Sequence, residues 1–267
     1  MTIAVPRGLF LQALLTLGMV AGGAAQDTPA PPPTPEAIKS EIRRRSAENV
    51  PASTFLIVAG VIAGTALFDP SLSRWANREQ SSGLTEFGNN VDRMGEISVI
   101  APVLIGTTAI GLATKSPELL RLAIRTAGAI TFVSIGVQAL KFTTGRDRPY
   151  QDADFGADDF HPFTAWDTSF PSGHTAAAFA MATTLSDAID NRYATVGLYT
   201  LAAGTGWARI VLLKHWPSDV VAGAAVGLLA GKLATGRVKL FGFTAPKAIV
   251  TPDAVVVQYT VPMPRLR

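Results

Sequence analysis

Residues 116–149 read SPELLRLAIRTAGAITFVSIGVQALKFTTGRDRP, and this stretch decides what kind of fold the chain can adopt. Ser116, Pro117 and Glu118 supply an N-cap, a first-turn proline and a first-turn acid. Residues 119–140 are then almost wholly apolar, too long for a strand and without period-2 alternation, so they predict a helix. The run ends on cations: Lys141, then Arg146, Arg148 and Pro149. An apolar helix with a cluster of positive charge at one end is the unit from which the rest of the chain is read.

Five further apolar segments resemble it, at about 54–68, 97–113, 174–189, 194–213 and 219–235. Leu84, Phe87, Val91 and Met94 recur at 3-4-3 spacing and predict an amphipathic helix over about 82–95. The expected fold is all-α: about six apolar helices in a bundle, with that amphipathic helix between the first two. The segments are rich in Gly, Ala and Thr, which suits close packing of helices in lipid. Charged residues are only 16% of the 267, so a membrane-integral bundle is the expectation. Net charge is +3 and no strongly basic run appears, which excludes a nucleic-acid footprint. Cysteine is absent, which removes disulfides, thiolate metal sites and cysteine nucleophiles together.

Outside the bundle, residues 1–25 read as a signal peptide or N-terminal anchor, with Arg7 ahead of an apolar stretch and Gly23-Ala24-Ala25 at its end. Residues 26–52 form a Pro-rich linker and a polar segment, 53–240 the helical domain, and 241–267 an extended tail. Arg43 to Arg45, Lys115, Arg121, Arg125, Arg192, Arg237 and Lys239 fall on one face of a six-span arrangement, which should be cytoplasmic. A cleaved leader would start the mature chain on the other side. Either the leader is retained or not every segment spans.

The acid–base residues gather in three clusters. The first is Lys141 to Pro149. The second is Phe170-Pro171-Ser172-Gly173-His174-Thr175, just before a small-residue helix. The third is Arg209, then His215, then Asp219. Lys and Arg supply fixed charge and donor forks for phosphate oxygens. Ser172 and Gly173 lie at a helix start, where free N–H groups favour an anion. Asp219, four residues after His215 and across Pro217, can take an imidazole N–H. Each cluster alone has a bland reading: a solvated helix end, a turn with an N-cap, a structural hydrogen bond. Three together, at the ends of successive apolar helices, point to a site for a tetrahedral oxyanion.

These residues resemble the signature of the type-2 phosphatidic acid phosphatase and vanadium haloperoxidase superfamily: Lys-x6-Arg-Pro, Pro-Ser-Gly-His, then Ser-Arg-x5-His-x3-Asp. The resemblance covers roughly residues 54–236; Ala208 departs from it, standing where the family often has Ser. It implies a phosphatase in which His215 attacks phosphorus and carries a phosphohistidine. Asp219 orients His215, and His174 protonates the leaving alkoxide and then activates water. It implies that Lys141, Arg148, Ser172, Gly173 and Arg209 hold the phosphoryl oxygens, and that no metal or other cofactor is needed. The expected partners are a membrane and a phosphorylated lipid or isoprenoid: phosphatidate, phosphatidylglycerophosphate, an isoprenyl diphosphate or a phosphorylated lipid A. No obligate protein partner is expected. The expected location is the inner membrane with the site facing the periplasm.

Rival readings are a soluble exported acid phosphatase, a haloperoxidase with vanadate on His215, and a scaffold binding anionic headgroups. The acidic loop with Asp152, Asp154, Asp158, Asp159 and His161 can be read as a metal site, but solvated carboxylates suffice. Its aromatics Tyr150, Phe155, Phe160, Phe163 and Trp166 suit an interfacial lip, or simply a structural loop.

Overall fold

A computed structural model describes residues 2–6, 47–152, 154–163, 167–244, 247–250 and 254–258. The readings of a leader and a Pro-rich linker fall largely on residues 7–46, outside that set. The described chain divides into two units, Val50–Thr235 and a smaller one made of Met1–Asn49 with Gly236–Arg267.

The larger unit holds eight helices among the described residues: α1 (Ala52–Ala66), α2 (Asp69–Arg78), α3 (Ser82–Asp92), α4 (Ile97–Ala113), α5 (Pro117–Thr144), α6 (Gly173–Ile189), α7 (Arg192–Val211) and α8 (Pro217–Ala234). Six of these are the apolar helices expected, and α3 is the amphipathic one. The addition is α2. The chain bends by 49° after α1 and starts a new helix at Asp69-Pro70. Its polar composition hid it from an apolarity search, although an acid and a proline at its first two positions are a helix-start signal.

Local chemistry sets the helix ends. Ser81, Ser116 and Asn191 side chains accept N–H groups of the first turns of α3, α5 and α7. At the far end of α5, Gly145 takes φ 58°, and a Cβ there would lie 1.8 Å from the His161 carbonyl oxygen. Only glycine fits, and the chain turns back over the helix end there.

The centre of the unit is α6, packed against α5, α7 and α8. Ala129, Val133 and Val137 of α5, Ala176 and Ala180 of α6 and Ala230 of α8 form its main apolar cluster. The approach of α8 is closest. A Cβ on Gly223 would lie 2.4 Å from Ser172 O, on Gly227 2.3 Å from Ala176 O, and on Gly231 2.5 Å from the Thr183 Cβ. These glycines stand four apart, on one stripe of α8, so backbone packs on backbone. Between α5 and α6 a buried Thr126 hydroxyl donates to Thr184 at 2.9 Å.

The outer surface is apolar. Leu56, Ile57, Ile97, Ile105 and Ile135 are each 65–75% exposed. Facing water this would be a very large apolar area; facing lipid it has no such cost. Three stretches are long and apolar enough to cross a membrane: Ser82–Ala113, Pro117–Thr144 and Pro217–Ala234, with the bent α1–α2 pair as a possible fourth. Six separate spans were not required by the charge pattern alone, and α6 and α7 do not reach that standard of length and apolarity.

In the smaller unit β1 (Thr2–Pro6) pairs antiparallel with β5 (Ala254–Gln258), Thr2 opposite Gln258, and β4 (Lys247–Val250) lies on the other edge of β5. β2 (Glu48–Asn49) and β3 (Val238–Lys239) make a short parallel pair. Within the tail, residues 247–250 and 254–258 are paired strands, the second holding the Val255-Val256-Val257 run.

Candidate active site

The three clusters meet where α5 ends and α6 and α8 begin. Lys141 sits in the last turn of α5 and donates to the Thr168 carbonyl. Arg148 lies in the loop after it. Its Nε pairs with Asp167 at 2.9 Å and its Nη1 donates to the Lys214 carbonyl at 3.1 Å. Ser172 is the N-cap of α6, fully buried, with its N–H donating to the Asp219 carbonyl at 3.0 Å. That bond ties the second cluster to the third. Gly173 opens α6. A Cβ there would meet only Val137 at 3.6 Å, an ordinary contact, so protein packing alone does not require glycine at this position.

Arg209 is buried in the last turn of α7 and pairs with Asp92. Ala208 beside it has no exposed surface. The carbonyl of Arg209 accepts the His215 N–H at 3.2 Å, which curls the α7–α8 turn inward. His215 is 2% exposed. Its Nδ1 lies 3.6 Å from Asp219 Oδ2, near enough for charge attraction but longer than a hydrogen bond, and it has no hydrogen-bond partner. Asp219 Oδ2 instead accepts the Trp216 N–H at 2.9 Å, as the third residue of a capped helix commonly does. Burial pushes the His215 imidazole well below its ordinary pKa of 6.5, and Arg209, Arg148 and Lys141 push it the same way. Both effects favour the neutral imidazole, the form with a lone pair to offer.

His174 occupies the second position of α6 and is only half-buried. Its ring and the Asp92 and Glu96 carboxylates bring their donor atoms within 4.8 Å of one another. Gly95 makes this possible, because a Cβ there would lie 2.5 Å from the His174 carbonyl oxygen. Among the described residues this is the group that could hold a metal ion. Asp92 already balances the Arg209 guanidinium, so the carboxylates have a cation partner without a metal. The acidic loop is organised differently. The Asp152 carboxylate accepts N–H groups of Asp154, Gly156 and Ala157, a local turn.

Several residues of this site were not read from the sequence. Arg146 is 4% exposed. It donates to Asp219 Oδ1 and Ser218 Oγ, each at 2.8 Å, and to Asp69 Oδ2 at 2.8 Å. The rings of Phe160 and Trp216 flank it at 5.4 and 5.3 Å. Its signal was in plain view, inside the first cluster after Gly145. Asp92 and Glu96 are four apart, a spacing that puts two acids on one side of a chain turn. Of the loop aromatics, Tyr150, Phe160 and Phe163 are about half or more exposed, whereas Phe155 packs edge-on to Trp216 at 6.5 Å. Trp166 lies outside the described residues.

With this geometry in hand, the likenesses to known proteins are informative. Residues 122–241 match the PAP2 superfamily. The chain is 33% identical over 157 residues to a lipid A 1-phosphatase of Porphyromonas gingivalis, covering 57% of this chain and 32% of that protein. It is 37% identical over 102 residues to a lipid A 1-phosphatase of Rhizobium johnstonii, covering 37% of this chain and 40% of that protein. The chain thus spans about a third to two fifths of the length of these curated relatives. The crystal structure of Aquifex aeolicus LpxE superposes with a TM-score of 0.50 at 27% identity, over 63% of this chain and 94% of that one. A transmembrane PAP2-type phosphatidylglycerolphosphate phosphatase from Bacillus subtilis superposes with a TM-score of 0.52 at 21% identity, over 68% and 91%, which is a likeness of fold.

Proposed function

We propose that this chain, whose residues 122–241 match the PAP2 superfamily, is a membrane-embedded, metal-independent phosphatase acting on a lipid phosphate through a phosphohistidine. One observation carries this reading: a buried His215 sits beside Asp219, in the field of Lys141, Arg148 and Arg209. Cations of that density around an imidazole match the charge of a phosphoryl group.

In the first step the His215 Nε2 lone pair forms a bond to phosphorus as the phosphorus–oxygen ester bond breaks. The leaving alkoxide takes a proton from His174. In the second step His174 accepts a proton from water as the water oxygen attacks phosphorus, the bond from phosphorus to His215 Nε2 breaks with its electron pair returning to the imidazole, and inorganic phosphate departs. Asp219 stabilises the positive charge that His215 gains. Arg148 exchanges its Asp167 partner for a phosphoryl oxygen. The unpartnered Nε–H of Arg209 and the free N–H groups at the start of α6 supply further donors.

The apolar outer surface favours a lipid over a soluble phosphoester. The named relatives favour a phosphate on the 1-position of lipid A. Exposed Tyr150, Phe160 and Phe163 form the lip over which such a lipid enters. We place this lip on the periplasmic side of the inner membrane, opposite the face that carries Lys115, Arg121 and Arg125. The test is phosphate release from purified protein on lipid A 1-phosphate, phosphatidate, phosphatidylglycerophosphate and a soluble phosphomonoester. Lipid A should be hydrolysed fastest by kcat/KM. A preference for the soluble ester would overturn the lipid assignment.

A further inference from the structure

Asp69 is fully buried at the first position of α2, more than fifty residues ahead of the stretch that matches the family. Its Oδ1 accepts the Ser218 N–H at 2.8 Å. Its Oδ2 accepts the Ser218 hydroxyl and, at 2.8 Å, Nη2 of Arg146. The same guanidinium donates through Nη1 to Asp219 Oδ1 at 2.8 Å, and Asp219 Oδ2 is the atom that faces His215 Nδ1 at 3.6 Å. A hydrogen-bonded chain therefore runs from Asp69 through Arg146 to Asp219, whose other oxygen lies within charge-attraction distance of His215.

We infer that Asp69 is a positioning residue that sets, through Arg146, how strongly Asp219 supports charge on His215. This inference rests on the reading of His215 as the nucleophile. The physical argument is charge balance in a dry site. Arg146 is one cation bonded to two buried carboxylates. With Asp69 in place its charge is shared. Without Asp69 the whole guanidinium charge falls on Asp219 and cancels the field that carboxylate directs at the imidazole. Lys141, Arg148 and Arg209 all act against positive charge on His215, and Asp219 is the carboxylate that pairs with it. The bland alternative is that Asp69 only caps α8 through the Ser218 N–H.

Asp69→Asn separates the two, because the amide oxygen still accepts that N–H while the charge is gone. The expected result is a kcat lower by about tenfold to a hundredfold, with KM within about threefold, because the lost stabilisation belongs to the transition state. The acid limb of the pH–rate profile moves to lower pH, because removing a negative charge favours the neutral imidazole. A role confined to the cap would leave kcat and the limb in place, with the melting temperature little changed because the amide still accepts the N–H. Should Asp69→Asn not accumulate as folded protein, Arg146→Lys reads the same link, since one ammonium cannot bridge both carboxylates. Its kcat should fall similarly at unchanged KM. Wild-type kcat and an unmoved acid limb in a folded variant would overturn the inference. If His215→Ala is inactive in the same assay, the nucleophile assignment survives that outcome; if His215→Ala is active, the assignment itself has failed.

Discussion

The two histidines of the site live in opposite surroundings. His215 is enclosed, 2% exposed, and backed by Asp219, Arg146 and Asp69 in a fixed network. His174 is half-buried at the mouth, beside Asp92 and Glu96. The difference suits the tasks proposed for them. A nucleophile must be neutral, oriented and shielded from water until phosphorus arrives. A residue that gives a proton to an alkoxide and takes one from water must meet solvent. One short helix start, that of α6, presents the exposed histidine, and the turn before α8 buries the other. Ser172 joins them by its bond to the Asp219 carbonyl.

Replacing each histidine tests this division. His215→Ala should lower kcat by more than about a thousandfold on every substrate, because no other group can take the phosphoryl. Circular dichroism should confirm an intact fold. His174→Ala should cost about a hundredfold to ten-thousandfold on an alkyl phosphate. On an aryl phosphate whose phenolate leaves without a proton, the cost of the first step should nearly vanish, read as a pre-steady-state burst. Equal losses on both substrates would break the comparison.

The eight residues legible in the sequence share a property. Lys141 and Arg148, Ser172, Gly173 and His174, and Arg209, His215 and Asp219 lie within short stretches at helix ends, where spacing and caps fix direction. What escaped was held by contacts between distant parts of the chain. Arg146 and Asp69 are 77 residues apart and Arg209 and Asp92 are 117 apart. No local period encodes such a pairing. The helix α2 escaped for a related reason: its composition is largely polar and it buries only Asp69, Ser73 and Ala76. Apolar periodicity could find the bundle but not the helix that delivers a buried carboxylate to it.

The two glycines nearest Ser172 sharpen the comparison at the level of packing. Gly223→Ala would push a methyl onto the Ser172 carbonyl and should cost about 1–3 kcal/mol of stability, since overpacking displaces backbone. Gly173→Ala meets only an ordinary contact and should stay within about 0.5 kcal/mol in the same thermal unfolding experiment. The smallest effect concerns metal. Asp92, Glu96 and His174 converge closely enough to hold an ion, yet Asp92 already pairs with Arg209. Excess EDTA should therefore leave the rate unchanged. Loss on chelation, with recovery on added Zn²⁺ or Mg²⁺, would transfer the chemistry from the fixed cations to a metal.

The central claim is that His215 takes the phosphoryl group. Rapid quenching of the enzyme during turnover of a ³²P-labelled substrate tests it most directly. The account predicts an acid-labile, base-stable phosphoprotein in the wild type, whose label maps to the peptide containing His215 and is missing from His215→Ala. Turnover at the wild-type rate with no trapped phosphoprotein, or a label on any other residue, would contradict it.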